Sequence, residues 1–404
     1  MTAPVLSSRV AFWVSSAVVV VGIWASASPS VVYSLYISEW HLTTVVTTAL
    51  FSTYPIALVV TLIVFGDISD YVGRRSTIIV SVGLSAIGVL LFAVGPDLGW
   101  LFLARVVQGA GVGIGVSAAS AAMAEFVPRG NTAFASSVNT ASTAAGLTLS
   151  AVIGGALVEY APAPTRGTFW VLVVVMAALF VLVLFLPRSR PGTLAEGRWR
   201  PKLPGFPLRL WRVVVVSSLA AMGSFAIGSL MIGLGAQIAE ELIHTDNVLI
   251  AGLSLAVFAI AVAAGAFLGQ RSTPTRVMVV GGAAAAIGCA LLVLSSDLAS
   301  MPVYLLAGLG LGAGNGLMFV GALRTLNLHA PAGHRAGLLS VLYLVSYLVQ
   351  GLVAFAIGLG AQSLGFDGSV ALWAWIIGGW SVLAAVVAVI AGRRPADPST
   401  VPVD

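Results

Sequence analysis

Two short stretches hold most of the side chains that could do chemistry. In Leu101-Phe-Leu-Ala-Arg105-Val-Val-Gln108-Gly109-Ala-Gly111, an arginine and a glutamine stand three apart inside an otherwise apolar run. On a helix that spacing puts both on one face, where a buried guanidinium would hold a neighbouring carboxylate in its charged form. In Gly66-Asp-Ile-Ser-Asp70-Tyr-Val-Gly73-Arg74-Arg75, four charges fall within ten residues of a chain that is only 8% charged. Asp70 and Arg74 are four apart, so a helical turn would let them pair, and the same acid could instead cap the positive end of a neighbouring helix.

Other chemistries find no support. A GxxxxGK[ST] phosphate loop, an HExxH motif and a GxSxG motif are all missing, so neither an ATP-driven pump nor an intramembrane hydrolase is expected. The glycines of Gly308 to Gly316 follow no strand and read as helix packing, not as a dinucleotide site. The four histidines (His41, His244, His329, His334) fall outside the apolar runs, and the lone Cys289 sits among alanine and leucine. No metal site, no cofactor and no enzymatic activity are expected.

The elements that must position these residues follow from composition. The chain has 404 residues, 59% of them hydrophobic, a mean hydropathy of +1.05 and a single lysine, Lys202. A membrane-spanning helix needs roughly 20 apolar residues, and backbone groups in lipid must bond within their own segment. That ruler predicts twelve spans: 11–37, 43–65, 77–95, 100–123, 134–159, 168–187, 213–236, 248–269, 277–295, 302–323, 336–361 and 369–392. A cleavable leader around Arg9 and Ala25 to Ser28 is disfavoured, because the apolar run continues to Ile37.

Charge placement predicts orientation. Arg9, Arg74, Arg75, Arg129, Arg271, Arg276, Arg324, Arg335, Arg393, Arg394 and the basic segment 188–212 lie on one side of an alternating path. Glu39, Asp97, Glu159, Glu240, Glu241, Asp246, Asp297 and Asp367 lie on the other, with Arg166 as its one base. Basic loops stay inside, so a multi-pass cell-membrane protein with both termini cytoplasmic is expected. The net charge of +5 then reflects topology in the bilayer, and no nucleic-acid binding is read from it.

A shift of about 203 residues brings Ala104 to Gly113 over Ala307 to Gly316, and Gly66 over Gly269. Internal similarity at that spacing predicts an all-α integral membrane protein built from two pseudo-symmetric six-helix bundles. They comprise 1–187 and 213–404, joined by the basic linker 188–212.

The stretch from Gly66 to Arg75, between the second and third spans, resembles the loop signature of the major facilitator superfamily. Arg105, Gln108 and the following glycines resemble that family's fourth-helix signature. Gly146-Leu-Thr-Leu-Ser150-Ala151-Val-Ile-Gly154-Gly155 is similar to a weakened form of its antiporter signature, with Ser150 and Ala151 where glycine and proline would stand. The resemblance covers essentially the whole chain. It departs at Tyr71, where a base is usual, and in the second half, where the loop has decayed to Gly269-Gln-Arg-Ser-Thr-Pro-Thr-Arg276.

The resemblance implies an alternating-access carrier whose gate is Gly66, Asp70, Gly73, Arg74, Arg75 and Glu125, with Asp70 docked on the eleventh span in one state and released in the other. It assigns proton coupling to Arg105 and Gln108. No acid lies centrally in spans one or seven, so Glu39 is the candidate carboxylate by topology. The cavity is expected to be lined by Trp24, Tyr33, Asn139, Met222, Phe225, Asn315, Phe319, Tyr343 and Tyr347. The implied activity is proton-coupled efflux of a small amphipathic drug-like or metabolite molecule by a functional monomer in the bilayer. A sugar or other small-metabolite carrier is the alternative, although Leu186 to Gly192 does not match the family's sugar-porter signature. A non-transporting receptor on the same fold would not need the gate residues.

Overall fold

In the computed structural model, residues 6–128, 132–188, 199–200, 207–244, 247–330 and 335–392 are described. Most of the linker and the C-terminal residues from 393 lie outside them. The helices are α1 (Ser8–Trp40), α2 (Thr44–Phe65), α3 (Ile68–Val72), α4 (Arg74–Val94), α5 (Leu98–Phe126), α6 (Thr132–Tyr160), α7 (Gly167–Val183), α8 (Trp211–Gly228), α9 (Leu234–Glu241), α10 (Val248–Gly269), α11 (Pro274–Asp297), α12 (Met301–His329) and α13 (Arg335–Gly392).

The expected spans appear with three local changes. The seventh is not one regular helix: α8 and α9 are joined by a π-helical turn, Ser229–Gly233, and Ser229 Oγ donates to the Gln350 carbonyl at 2.8 Å. The eleventh and twelfth are the two arms of α13, broken at Gly365 with φ of 75°. The sixth, α7, has only 17 residues, near the lower limit for crossing the hydrocarbon. Counting both arms of α13, twelve crossings are present among the described residues. Their outer faces carry Val60, Val174, Ile260, Ile287 and Trp375, all more than half exposed. In water such a surface would aggregate, whereas hydrocarbon solvates it. This is a multi-pass membrane protein.

Local chemistry marks the helix ends. Asp97 caps α5 by accepting from the Gly99 and Trp100 amides, and Asn247 caps α10 by accepting from Ile250. Pro274 opens α11, and Pro302 stands in the first turn of α12, where a missing N–H costs nothing.

Helices before the linker pack mainly with one another, as do those after it; the main contacts between the two groups are α2 on α13 and α6 on α10. The repeat seen in sequence has a packing counterpart. A methyl on Gly109 would lie 2.5 Å from the Tyr54 carbonyl, and one on Gly113 would lie 2.8 Å from that of Leu58. Their partners Gly312 and Gly316 meet the Phe258 and Val262 carbonyls just as closely. In both groups the fourth helix thus presses its glycine face onto the backbone of the second, a contact that any side chain would prop open.

Candidate functional site

Arg105 is fully buried, and its guanidinium is caged by neutral groups. Nε donates to the Tyr33 hydroxyl at 3.0 Å, Nη1 to the Ser26 carbonyl at 2.8 Å and to Gln108 Oε1 at 2.9 Å, and Nη2 also reaches Tyr33. The rings of Tyr33, Tyr54 and Phe92 each stand 5.6 Å from the guanidinium carbon. Gln108 in turn donates to the Ala25 carbonyl at 2.9 Å. The i, i+3 pairing of Arg105 and Gln108 is therefore present, and both fasten α5 to α1.

Glu39 does not join them. It is exposed at the end of α1, about 9 Å along the helix from Tyr33. The acid that the fold brings closer is Glu240 of α9, which accepts from Ser34, the residue after Tyr33, at 3.1 Å. Sequence reading placed Glu240 in the acidic loops, because nothing in the chain signals that a broken seventh span tilts it onto α1.

At the basic end, Arg74 pairs with Asp70 at 2.8 Å and donates to Ser69 at 2.6 Å, while Arg75 Nη2 bonds the Leu184 carbonyl after α7. Asp70 is half exposed and paired across Gly73 with the first residue of α4, and Glu125 is exposed. Gly73 takes the turn expected of it, with φ of 89° between α3 and α4. Gly66 is in ordinary helical conformation, φ −59°, so its value lies in close packing: its carbonyl accepts from Ser117 at 3.3 Å. Unforeseen is Trp199 of the linker, whose ring stacks on Phe65 at 5.3 Å and whose indole N–H donates to Asp67 at 2.8 Å. An aromatic flanked by arginines in a polar linker was the available cue.

Between the two helix groups lies a cavity of about 290 Å³, the size of a small-molecule site. Of the nine expected lining residues, Asn139, Phe225, Asn315, Phe319, Tyr343 and Tyr347 line it. Trp24, Tyr33 and Met222 do not. Trp24 and Tyr33 are buried in the core of the first helix group, Tyr33 because it serves Arg105, and Met222 is half-buried on another face of α8. Helix α1 faces the cavity instead through Val18, Val19, Gly22 and Ile23.

The cavity is shut at the acidic end by bonds between the two groups. Besides Ser34 and Glu240, Ser52 Oγ donates to the Gly351 carbonyl at 2.7 Å, and Glu159 accepts from the Val248 amide at 2.9 Å, capping α10. Small residues of the Gly146 to Gly155 stretch make the contact tight: a methyl on Gly155 would lie 3.2 Å from the Val248 carbonyl, and one on Gly252 would strike that of Ala151. Toward the basic end each group has a buried apolar cluster of its own, one around Phe12 and Met123 and another around Val214, Met278 and Leu326.

The family model described as Major Facilitator Superfamily matches residues 12–354. Among curated proteins, MdtD of Salmonella typhimurium, a candidate multidrug resistance protein, is 30% identical over 203 residues, which is 50% of this chain and 41% of MdtD. The match thus spans less than half the length of that relative. Among solved structures, the nucleoside transporter NupG gives a TM-score of 0.77 at 12% identity, covering 95% of this chain and 99% of NupG. A D-xylose-proton symporter gives 0.76 at 15% identity, covering 93% and 96%. A bacterial homologue of the lysosomal transporter Spinster, inward-facing and unoccupied, gives 0.75 at 15% identity, covering 96% and 99%. At these identities the three share the fold.

Proposed function

The chain belongs to the major facilitator superfamily and is a membrane transporter, not an enzyme; from that premise we propose that it works by alternating access and exports small amphipathic molecules in exchange for protons. The observation that carries the reading is the asymmetry of the cavity. The two helix groups are joined toward the acidic end by Ser34–Glu240, Ser52–Gly351 and Glu159–Val248, while toward the basic end each group keeps an apolar cluster of its own. With basic loops inside, this is an inward-facing state. Asp70, held by Arg74 and half exposed, is then the released latch; rocking to the other state would bring it against the first arm of α13.

Export is favoured by the similarity to MdtD and by the small-residue stretch of α6 at the interface with α10. For the proton we assign Glu240 in place of Glu39. Its carboxylate is half-buried and bonded to Ser34 across the closed end, so opening that end exchanges protein for water around it. A group whose surroundings change with the transport state can couple protonation to that change. Arg105, buried in α5 and bonded to Tyr33, the neighbour of Ser34, fixes the local field and the position of α1.

The test uses inverted membrane vesicles. An imposed gradient, acidic inside, should drive accumulation of an amphipathic dye, and an uncoupler should abolish it. Glu240→Gln should retain dye exchange and lose gradient-driven accumulation. Accumulation that ignores the uncoupler would remove proton coupling, and a fully coupled Glu240→Gln would remove this residue.

A further inference from the structure

The cavity has two unlike walls. On the C-terminal side Phe225 of α8, Phe319 of α12 and Tyr343 and Tyr347 of α13 form one aromatic surface, beside which Ser224 and Asn315 donate to each other's backbone carbonyls. Ring centroids are 5.5 Å apart for Phe225 and Phe319, 4.8 Å for Phe225 and Tyr347, 5.9 Å for Phe319 and Tyr343, and 6.4 Å for Tyr343 and Tyr347. On the N-terminal side aromatic rings are missing from the lining among the described residues, and hydroxyls and an amide stand among aliphatic side chains: Ser81 and Ser85 of α4, Ser120 of α5, and Asn139, Thr140 and Thr143 of α6. Among the described residues no Asp, Glu, Lys, Arg or His lines the space. The buried Arg105 is outside the lining, and its fork is occupied by Tyr33, Ser26 and Gln108.

We propose that this cavity takes an uncharged molecule with a planar aromatic face and a hydrogen-bonding edge, the ring seated on the C-terminal wall and the edge turned to the N-terminal hydroxyls. The proposal rests on the transport reading above and narrows its substrate class. A cation or an anion entering here would give up hydration and meet no opposite charge, and a buried charge without a partner is strongly disfavoured. A flat ring gains area and favourable ring geometry against tilted aromatic neighbours. Serine and threonine hydroxyls both donate and accept, so they serve varied polar edges without demanding one pattern. The division between the walls follows the division between the helix groups, so a ligand of this kind would bridge them and sense their rocking.

The experiment measures equilibrium binding to purified protein in detergent, with no gradient, so it is independent of proton coupling. Two scaffold pairs serve as probes: chloramphenicol against its anionic succinate ester, and acridone against the 10-methylacridinium cation. The neutral member of each pair should bind at least about tenfold more tightly, a difference of about 1.4 kcal/mol. Phe319→Ala should weaken both neutral probes. Thr143→Val should weaken both as well, since chloramphenicol's hydroxyls and acridone's N–H and carbonyl are the edges turned to that wall. Equal or tighter binding of either charged member would overturn the proposal, as would no binding of either neutral probe. Failure of the vesicle assay with selective neutral binding would instead remove the transport mechanism and leave the site.

Discussion

Replacing Arg105 by lysine isolates the role of the guanidinium fork, because the charge and its burial are kept. Three acceptors surround the group: the Tyr33 hydroxyl, the Ser26 carbonyl and Gln108 Oε1. A lysine ammonium is a single point with three donors, and it cannot occupy the separate positions of Nε, Nη1 and Nη2 at once. At least one buried acceptor is therefore left unpaired, at a cost of about 1–3 kcal/mol. The ring contacts with Tyr33, Tyr54 and Phe92 persist in reduced form, so they do not offset this loss. Arg105→Met removes the charge and leaves all three acceptors unpaired, but it also lifts the cost of burying an ion, so its stability should lie within about 2 kcal/mol of the lysine variant's. The measurements are thermal unfolding in detergent by circular dichroism and substrate-induced proton release with a pH indicator. Lysine should lower stability and slow release, and methionine should abolish release. A lysine variant matching the parent in both, or a methionine variant that still releases protons, would show that the cage around Arg105 has no part in coupling.

Other outcomes follow from the same geometry. Asp70→Asn should change stability by less than about 1 kcal/mol, since the ion pair with Arg74 is partly solvated, yet flux at equal expression should drop; unchanged flux would remove Asp70 from the gate. Gly316→Ala drives a methyl into the Val262 carbonyl and should cost about 1–3 kcal/mol, read as loss of the monodisperse peak on gel filtration, whereas Gly379→Ala meets nothing within 4 Å and should behave as the parent. With Cys289→Ala, a Ser34→Cys and Glu240→Cys pair joined by a short disulfide-containing bridge should arrest dye exchange, which needs no proton coupling, and reductant should restore it; continued exchange by the cross-linked protein would refute an opening at the acidic end.

The sequence alone determined the solvent, the number of crossings and the packing faces. Hydrocarbon leaves a backbone no partner but itself, so each apolar run of about 20 residues had to be a helix. Glycines repeated at Gly109, Gly113, Gly312 and Gly316 had to lie where backbones touch. The i, i+3 pairing of Arg105 with Gln108 was legible because both lie within one turn of one helix, and the pairing of Asp70 with Arg74 because only four residues separate them, although Gly73 breaks the helix between them.

What the tertiary structure decided was every contact between helices distant in the chain. The rotation of α1 turns Tyr33 to Arg105 and leaves Val18 and Gly22 at the cavity, and no helical periodicity announces this in a segment that is apolar all round. The π-helical turn after α8 carries Glu240 to Ser34, and Trp199 reaches Asp67 across the linker. Lipid accepts almost any face of an apolar helix, so composition cannot say which face is inward; only the simultaneous packing of all its neighbours does.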